Sequence, residues 1–502
     1  MYAIGCDVGS QSLKGILLDP SGRVVAQAAA AYDVQYPHPG WAQQASHDWR
    51  RALASVVGAL RDRAGIAAAE IGVLGLASQV DGLVAVDADG EPLGPAIIWL
   101  DRRATAQAST LGDAIDPAEI RRLTGLNLDA SHVAPKMLWL RDTQPITFER
   151  AAGLLLPGSA LVAWLTGERV VDHANASSTL LYDVTTRAWS PPMIEATGLD
   201  AARLGTIAPA MDVVGTLRNG PAAALGLTAA TRVVVGTGDE HGASLGAGGI
   251  RPGIVIDITG TAEPVCVAAT SPIIDATGLV ETHAHADPRV WLVENPGFVS
   301  GGSVAWFIDA MGDGLAPAQL DAEAAAETGP GAGGVTFLPT LSGATAPRWN
   351  DAARGVYSGL SLNHGRAHLY RALLEGCTFA LRDIVDRLDA MGLAGDEIRV
   401  VGGGARSPLW LQMKADVTGR AVRVMASNES TALGAAMLAG VGAGTFKDLD
   451  EAVERLALLE PTVYAPDPET AAAYDDAYGR YRALFDAVEP GFAARAAAGA
   501  PA

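Results

Sequence analysis

YAIGCDVGSQSLKGILLDPSGRVVAQ, residues 2–27, is the stretch whose reading decides the fold. Two apolar runs flank the polar Gly9-Ser10-Gln11-Ser12, and Pro20-Ser21-Gly22 marks a second reversal before RVVAQ. This pattern predicts three short antiparallel strands joined by tight turns. The first turn has chemistry of its own. Gly9 lets the backbone turn tightly, Ser10, Gln11 and Ser12 offer amides and hydroxyls to an anion, Lys14 can neutralise it, and Asp7 can bind Mg²⁺ directly or through water. A plain polar hairpin turn explains the same residues equally well.

Moving outward, Ser46 precedes Trp49, Leu53, Val57 and Leu60 at helical spacing, and reads as the N-cap of that helix. IGVLGLAS (71–78) and PAIIWLD (95–101) are apolar runs ended by polar residues, which predicts buried central strands with functional ends. The same order recurs later. GIVIDITGT (253–261), AEPVCVAA (262–269) and VWLVENPG (290–297) form a second strand group, followed by an amphipathic helix over 370–388. EIRVVGGGARS (397–407) reads as strand, glycine turn and helix start, and TALGAAMLAG (431–440) as a helix of small residues. The repetition predicts an α/β protein of two similar domains facing each other across a cleft, with the boundary in the glycine-rich 242–253. The expected segments are 1–245, 246–445 and a helical, acidic extension over 446–502, frayed from Ala493 onward.

Composition narrows the role. Of 502 residues, 49% are hydrophobic and 18% charged, which suits a packed globular chain rather than disorder or a coiled coil. A net charge of -20 argues against nucleic acid as partner. Cys6, Cys266 and Cys377 stand far apart in apolar surroundings, so they predict buried thiols and no zinc site. The start MYAIGCD carries no secretory pattern, and the longest uncharged run, 151–167, is broken by Pro157 and Gly158. A cytoplasmic protein without a membrane partner is the expectation.

Three further motifs suggest a cleft enzyme. Gly260-Thr261 occupies in the second repeat the place that the Gly9–Ser12 turn occupies in the first, and the pairing strengthens the phosphate-binding reading of both. Gly402-Gly403-Gly404 lies between strand and helix, where a flat base can approach a backbone without Cβ atoms. VVVGTGDEHGASLG (233–246) places Asp239 at a helix start, where it can cap the helix, accept a hydroxyl proton, or do both. A capping role alone predicts a lowered pKa. His283 and His285 share a strand face without an evident third ligand, and packed histidines are the favoured reading. Trp41 and Trp99 suggest a ligand wall as well as packing.

The set resembles the FGGY family of carbohydrate kinases, nearest to xylulokinase-like pentulose kinases. The resemblance rests on GCDVGSQSLKGILLD, PHPGWAQQASHDW, IIWLDRRA, GTGDEHGASLGAG, FLPTLSGATAPRWNDAARGVYSGL, VVGGGARSPLWLQMKAD and ALGAAMLAG, in that order. It implies two actin-like, ribonuclease-H-like domains with sugar mainly on the first, ATP mainly on the second, and Mg²⁺ between. Carried over by position, Asp239 is implied as catalytic base, and Asp7 with Asp239 as metal neighbours. Ser10, Gln11, Ser12, Lys14, Gly260, Thr261, Gly301, Gly403, Gly404 and Ser407 are implied as nucleotide contacts. Gln79, Val80, Asp81, Trp99, Asp101, His132, Glu240 and Glu294 are implied around the substrate, and a homodimer is expected.

Departures bear on the acceptor. Gln79-Val80-Asp81-Gly82 stands where xylulokinases usually carry Gln-Met-His-Gly, so an acid replaces a histidine, as in glycerol kinases. Gln43 replaces a Glu, Glu240 follows the base where Asn or Gln is common, and Glu294-Asn295 sits on a strand often apolar in the family. An acid-rich pocket disfavours a sugar acid and suits a neutral pentulose, with D-xylulose first, or another ketose or polyol such as glycerol, erythritol, ribulose or a pentitol. A non-catalytic ATP-binding protein of actin-like fold is the less favoured alternative.

Overall fold

Tyr2–Val8, Ser12–Leu18 and Val24–Ala31 form the expected antiparallel meander in the computed structural model, which describes residues 1–497. The first of these strands pairs in parallel with Ile71–Ser78, which pairs in parallel with Arg232–Val234, and Val213–Thr216 closes the far edge. The second sheet repeats this plan. Ile254–Thr259, Ala262–Ala269 and Trp291–Val299 form an antiparallel meander. Ile254–Thr259 then pairs in parallel with Glu397–Gly402, which pairs in parallel with Ala421–Met425. Each half is therefore a meander whose first strand carries the parallel strands, the duplicated α/β arrangement that the repeated motifs predicted.

Helix Ser430–Ala443 crosses between the halves. It follows the parallel strands of the second sheet but packs on the strands Tyr2–Val8 and Ile71–Ser78 and on helix Asp239–Gly246. The approach requires glycine in the strands: a Cβ on Gly5 would lie 2.2 Å from the Ala436 nitrogen, and one on Gly75 2.6 Å from the Ala435 oxygen. Ala3, Val73, Val234, Leu245, Ala432, Ala436 and Met437 close this core between the halves.

Four expectations change. Helix Ser46–Ala64 buries Trp49, Leu53, Val57 and Leu60 as its spacing required, but Ala45 is its N-cap, and the Ser46 hydroxyl is buried without a partner. Of 95–101, only Ala96–Ile97 is strand, in a two-stranded sheet with Gln43–Gln44. The chain leaves that pairing because Trp99 and Leu100 turn outward while Asp101 turns in. The extension after residue 446 is not wholly helical, since Leu459–Tyr464 forms the edge of the second sheet, antiparallel to Ala421–Met425. Its last helix, Ala471–Ala497, buries Tyr474, Ala477, Tyr481 and Phe485 in the second core. The fraying expected from Ala493 onward does not extend to the backbone through Ala497, which is helical, and its remainder lies outside the described residues. All three cysteines are buried and unpaired. Among the described residues, no helix is long and apolar enough to cross a membrane.

Candidate active site

Asp239 opens helix Asp239–Gly246, with Gly238 as the N-cap, directly beyond the parallel strands of the first sheet. That is where open α/β sheets expose side chains at strand ends. Its Oδ1 accepts the Glu240 amide at 3.0 Å, and the Val80 amide also favours its charge. Burial nevertheless dominates and pushes Asp239 up to about 7, with the Asp81 carboxylate adding to the rise. The lowered pKa of a simple capping aspartate is thus reversed by the cleft.

Asp7 lies beside it. Burial and the charge of Asp239 lift Asp7 to about 8, with Lys14 opposing, and Asp7 Oδ1 is buried without a hydrogen-bond partner. Two neighbouring buried carboxylates, one with an orphaned oxygen, fit a divalent cation. Among the described residues no group of three His, Cys, Asp or Glu could hold a metal alone. A hard ion such as Mg²⁺ commonly takes one or two carboxylates and completes its shell with water and phosphate oxygens, which matches this donor set.

The Gly9–Ser12 turn is braced from below. Trp99 Nε1 donates to Ser10 Oγ at 2.8 Å, Gln44 Nε2 to the Ser10 carbonyl at 2.6 Å, and the Tyr32 hydroxyl to the Gly9 carbonyl at 2.5 Å. Gln79, fully buried, donates to Gln44 Oε1 at 2.8 Å and so supports this turn, while its own Oε1 is buried without a hydrogen-bond partner. Gln11 is exposed and Ser12 half-buried. Lys14 stands opposite Asp7 in the strand register and pairs with Glu429 at 2.9 Å, across the halves.

Asp81 has left-handed backbone at φ 55°, a costly conformation for a residue with a side chain. Lys136, itself buried, holds it there by donating to the carbonyls of Asp81 at 2.5 Å and Ile98 at 2.9 Å. The Asp81 carboxylate lies 3.2 Å from His132 Nδ1. Burial alone would lower His132, but Asp81 outweighs it, helped by Glu281 and Asp129, and lifts the imidazole to about 9. The histidine absent from position 81 therefore has a charged counterpart reached from another loop. Glu240 and Glu294 meet across the cleft, where burial raises both: the Glu294 charge lifts Glu240 further, while Glu294 reaches about 8 with Glu281, Asp81 and Asp239 adding and the contact with Glu240 opposing. His283 Nε2 sits 3.1 Å from Glu294 Oε1 but off the line of a hydrogen bond, and burial keeps His283 neutral, lowered to about 4.

Asp101 is held in a buried ion pair. Arg103 takes both its oxygens, at 2.7 to 2.9 Å, and the Ala42 amide donates to Oδ2 at 2.5 Å. The Arg103 guanidinium lies over Trp41 at 3.8 Å, so Asp101 and Arg103 together hold the Trp41 ring in place. Asp101→Ala should cost about 3 kcal/mol, because it strands a buried guanidinium. Urea unfolding that shows less than about 1 kcal/mol would remove the pair from that structural role.

On the second half, Gly260, Thr261, Gly301, Gly403 and Gly404 converge around Thr259. Gly302 N donates to the Thr261 carbonyl at 3.0 Å, and a Cβ on Gly301 would meet the Gly260 oxygen at 2.2 Å. The Ser407 hydroxyl is engaged as N-cap of helix Pro408–Thr418, accepting from the Trp410 amide at 3.1 Å. Sequence reasoning missed Lys136, Gln44, Tyr32, Glu281 and Glu429. Only Lys136 had left a signal, a lone charge in the apolar run HVAPKMLWL.

The descriptions of the FGGY family of carbohydrate kinases match this chain over residues 2–246 for the N-terminal domain and 257–443 for the C-terminal domain. The chain belongs to the FGGY family. It is 33% identical to the xylulose kinase of Escherichia coli (strain K12) over 491 residues, covering 98% of this chain and 99% of that one. It is 35% identical to the glycerol kinase of Gloeobacter violaceus over 460 residues, covering 90% of each. The solved structure of ligand-bound xylulose kinase from Lactobacillus acidophilus superposes with a TM-score of 0.91 at 25% identity, over 98% of this chain and 99% of that chain. The protein is thus a carbohydrate kinase with the two-domain FGGY fold.

Proposed function

We propose that this FGGY kinase transfers the γ-phosphoryl group of ATP to a hydroxyl of a neutral pentulose or polyol, with D-xylulose the first candidate. Asp239 carries the reading: a carboxylate at a helix start, poised near 7 by burial, is matched to taking a hydroxyl proton at neutral pH. As the acceptor oxygen bonds to phosphorus, the bond from phosphorus to the β–γ bridging oxygen breaks, ADP leaves, and the hydroxyl proton goes to Asp239. Asp7 and Asp239 would hold Mg²⁺, which neutralises phosphate charge when bound. Glycine turns around Thr259 present backbone amides to the nucleotide, and the braced Ser10 turn faces the transferring phosphate. Asp81, Glu240 and Glu294 accept hydrogen bonds from hydroxyls and repel a carboxylate-bearing sugar.

The glycerol kinase relatives and the Asp81–His132 pair favour a second reading, a polyol acceptor. Coupled ADP release with Mg-ATP against D-xylulose, D- and L-ribulose, erythritol, glycerol, ribitol, xylitol and D-gluconate separates the two. Strong stimulation by a ketose supports the first reading, and by an alditol or glycerol the second. Stimulation by D-gluconate above every neutral compound would overturn both.

A further inference from the structure

The nucleotide-side glycine turns carry no side chains of their own to fix them, yet they surround one buried cation. Lys414, 1% exposed, donates to Asp257 Oδ2 at 2.5 Å, Thr259 Oγ1 at 2.8 Å and Glu263 Oε1 at 2.9 Å. Thr259 precedes Gly260, and Glu263 follows Thr261 by two residues, so the ammonium grips the Gly260-Thr261 turn on both sides. Lys414 itself rides on helix Pro408–Thr418, which begins at the end of the Gly403–Arg406 turn. A Cβ on Gly404 would strike the Thr259 side chain at 2.4 Å, so that turn is seated on the residue that Lys414 holds. Glu263 Oε2 and the Ser300 hydroxyl are both buried without a geometrically sound hydrogen bond, and they lie together at the start of helix Gly301–Met311.

We propose that Lys414, with Asp257 and Glu263, is the positioning group of the nucleotide site, locking the turns at 260–261, 301 and 403–404 into one frame. The inference rests on the kinase reading of those turns. Burial would lower the Lys414 pKa, but Asp257 and Glu263 more than offset it, so the cation persists. A buried charge network of this kind is poor evidence for stability, since apolar groups of similar volume often hold a core as well or better. Its use is geometric: an ammonium with three fixed acceptors sets distances between segments that apolar contact would leave free.

The test is calorimetric titration of the whole protein with Mg-ADP, together with KM for ATP and for the best acceptor. Lys414→Met and Glu263→Gln are measured separately, and so is the apolar triple variant Asp257→Leu, Glu263→Met, Lys414→Met. Expected is a loss of Mg-ADP affinity of tenfold or more in Lys414→Met and the triple variant, and of threefold or more in Glu263→Gln. KM for the acceptor should stay within threefold, and the triple variant should melt at or near the wild-type temperature. Wild-type affinity in a folded variant, or equal losses toward nucleotide and acceptor, would overturn the positioning role. If Lys414→Met does not fold, Glu263→Gln decides alone. Absence of Mg-ADP binding by the wild-type protein would instead overturn the kinase reading beneath it.

Discussion

Asp239→Asn should lower turnover of the acceptor by about 10³-fold, within the range that a positioned base contributes, while Mg-ADP still binds. The asparagine preserves the shape and can still accept the Glu240 amide, so the helix start survives. It cannot take a proton, and it removes one of the two charges that press on each other across the Asp7–Asp239 gap. Asp7 should then ionise at lower pH in the variant. Steady-state rates with saturating acceptor, beside calorimetric titration with Mg-ADP, test both parts. Turnover within tenfold of wild type would remove Asp239 from the role of base.

The second large effect concerns pH and stability without ligands. Asp7 and Glu294 are raised to about 8, and Asp239, Glu263, Glu281 and Glu375 to about 7, all chiefly by burial. Between the ordinary carboxylate range and these values the folded state holds protons that the unfolded chain has released. Stability therefore falls as pH rises through that interval. His132, raised to about 9, acts in the same sense above pH 6.5, while Lys136, lowered to about 8, opposes it toward pH 8. Below pH 6.5 the buried neutral His241, His283 and His285 oppose it too, because the unfolded chain gains protons there first. The ligand-free protein in chelator should thus be less stable at pH 8 than at pH 6, losing roughly 4 kcal/mol per pH unit, about three protons of difference at about 1.4 kcal/mol each. Urea unfolding at both pH values measures it. Mg-ADP should recover much of the loss at pH 8. A midpoint that rises from pH 6 to pH 8 in chelator would contradict the assignment.

What the sequence made legible follows the backbone. Strand, turn and helix around Asp7, Gly260 and Asp239 were readable because each is local, and so was the duplication, because the same order of elements occurs twice. The state of Asp239 was not, since its pKa depends on burial in the cleft and on Asp81, which reaches it from a distant segment. Lys136 stood out as a lone charge in an apolar run, but its task stayed hidden, because its acceptors are main-chain carbonyls at 81 and 98 that any residue would supply. The Asp101 ion pair was readable in principle, because Arg103 stands only two residues away. The strand Leu459–Tyr464 was hidden by its edge position, where only one side must pair and most of its residues face solvent.

Helix Ser430–Ala443 has a consequence for biosynthesis. The first sheet can be assembled from residues 2–238, but one of its faces stays uncovered until the chain has been synthesised beyond residue 443, because that helix supplies the cover over Gly5 and Gly75. A polypeptide still emerging from the ribosome at residue 300 therefore carries an apolar sheet face with nothing to bury it. Chaperone dependence should be greatest during that interval, and a nonsense mutation between codons 239 and 430 should yield an aggregating fragment rather than a free N-terminal domain.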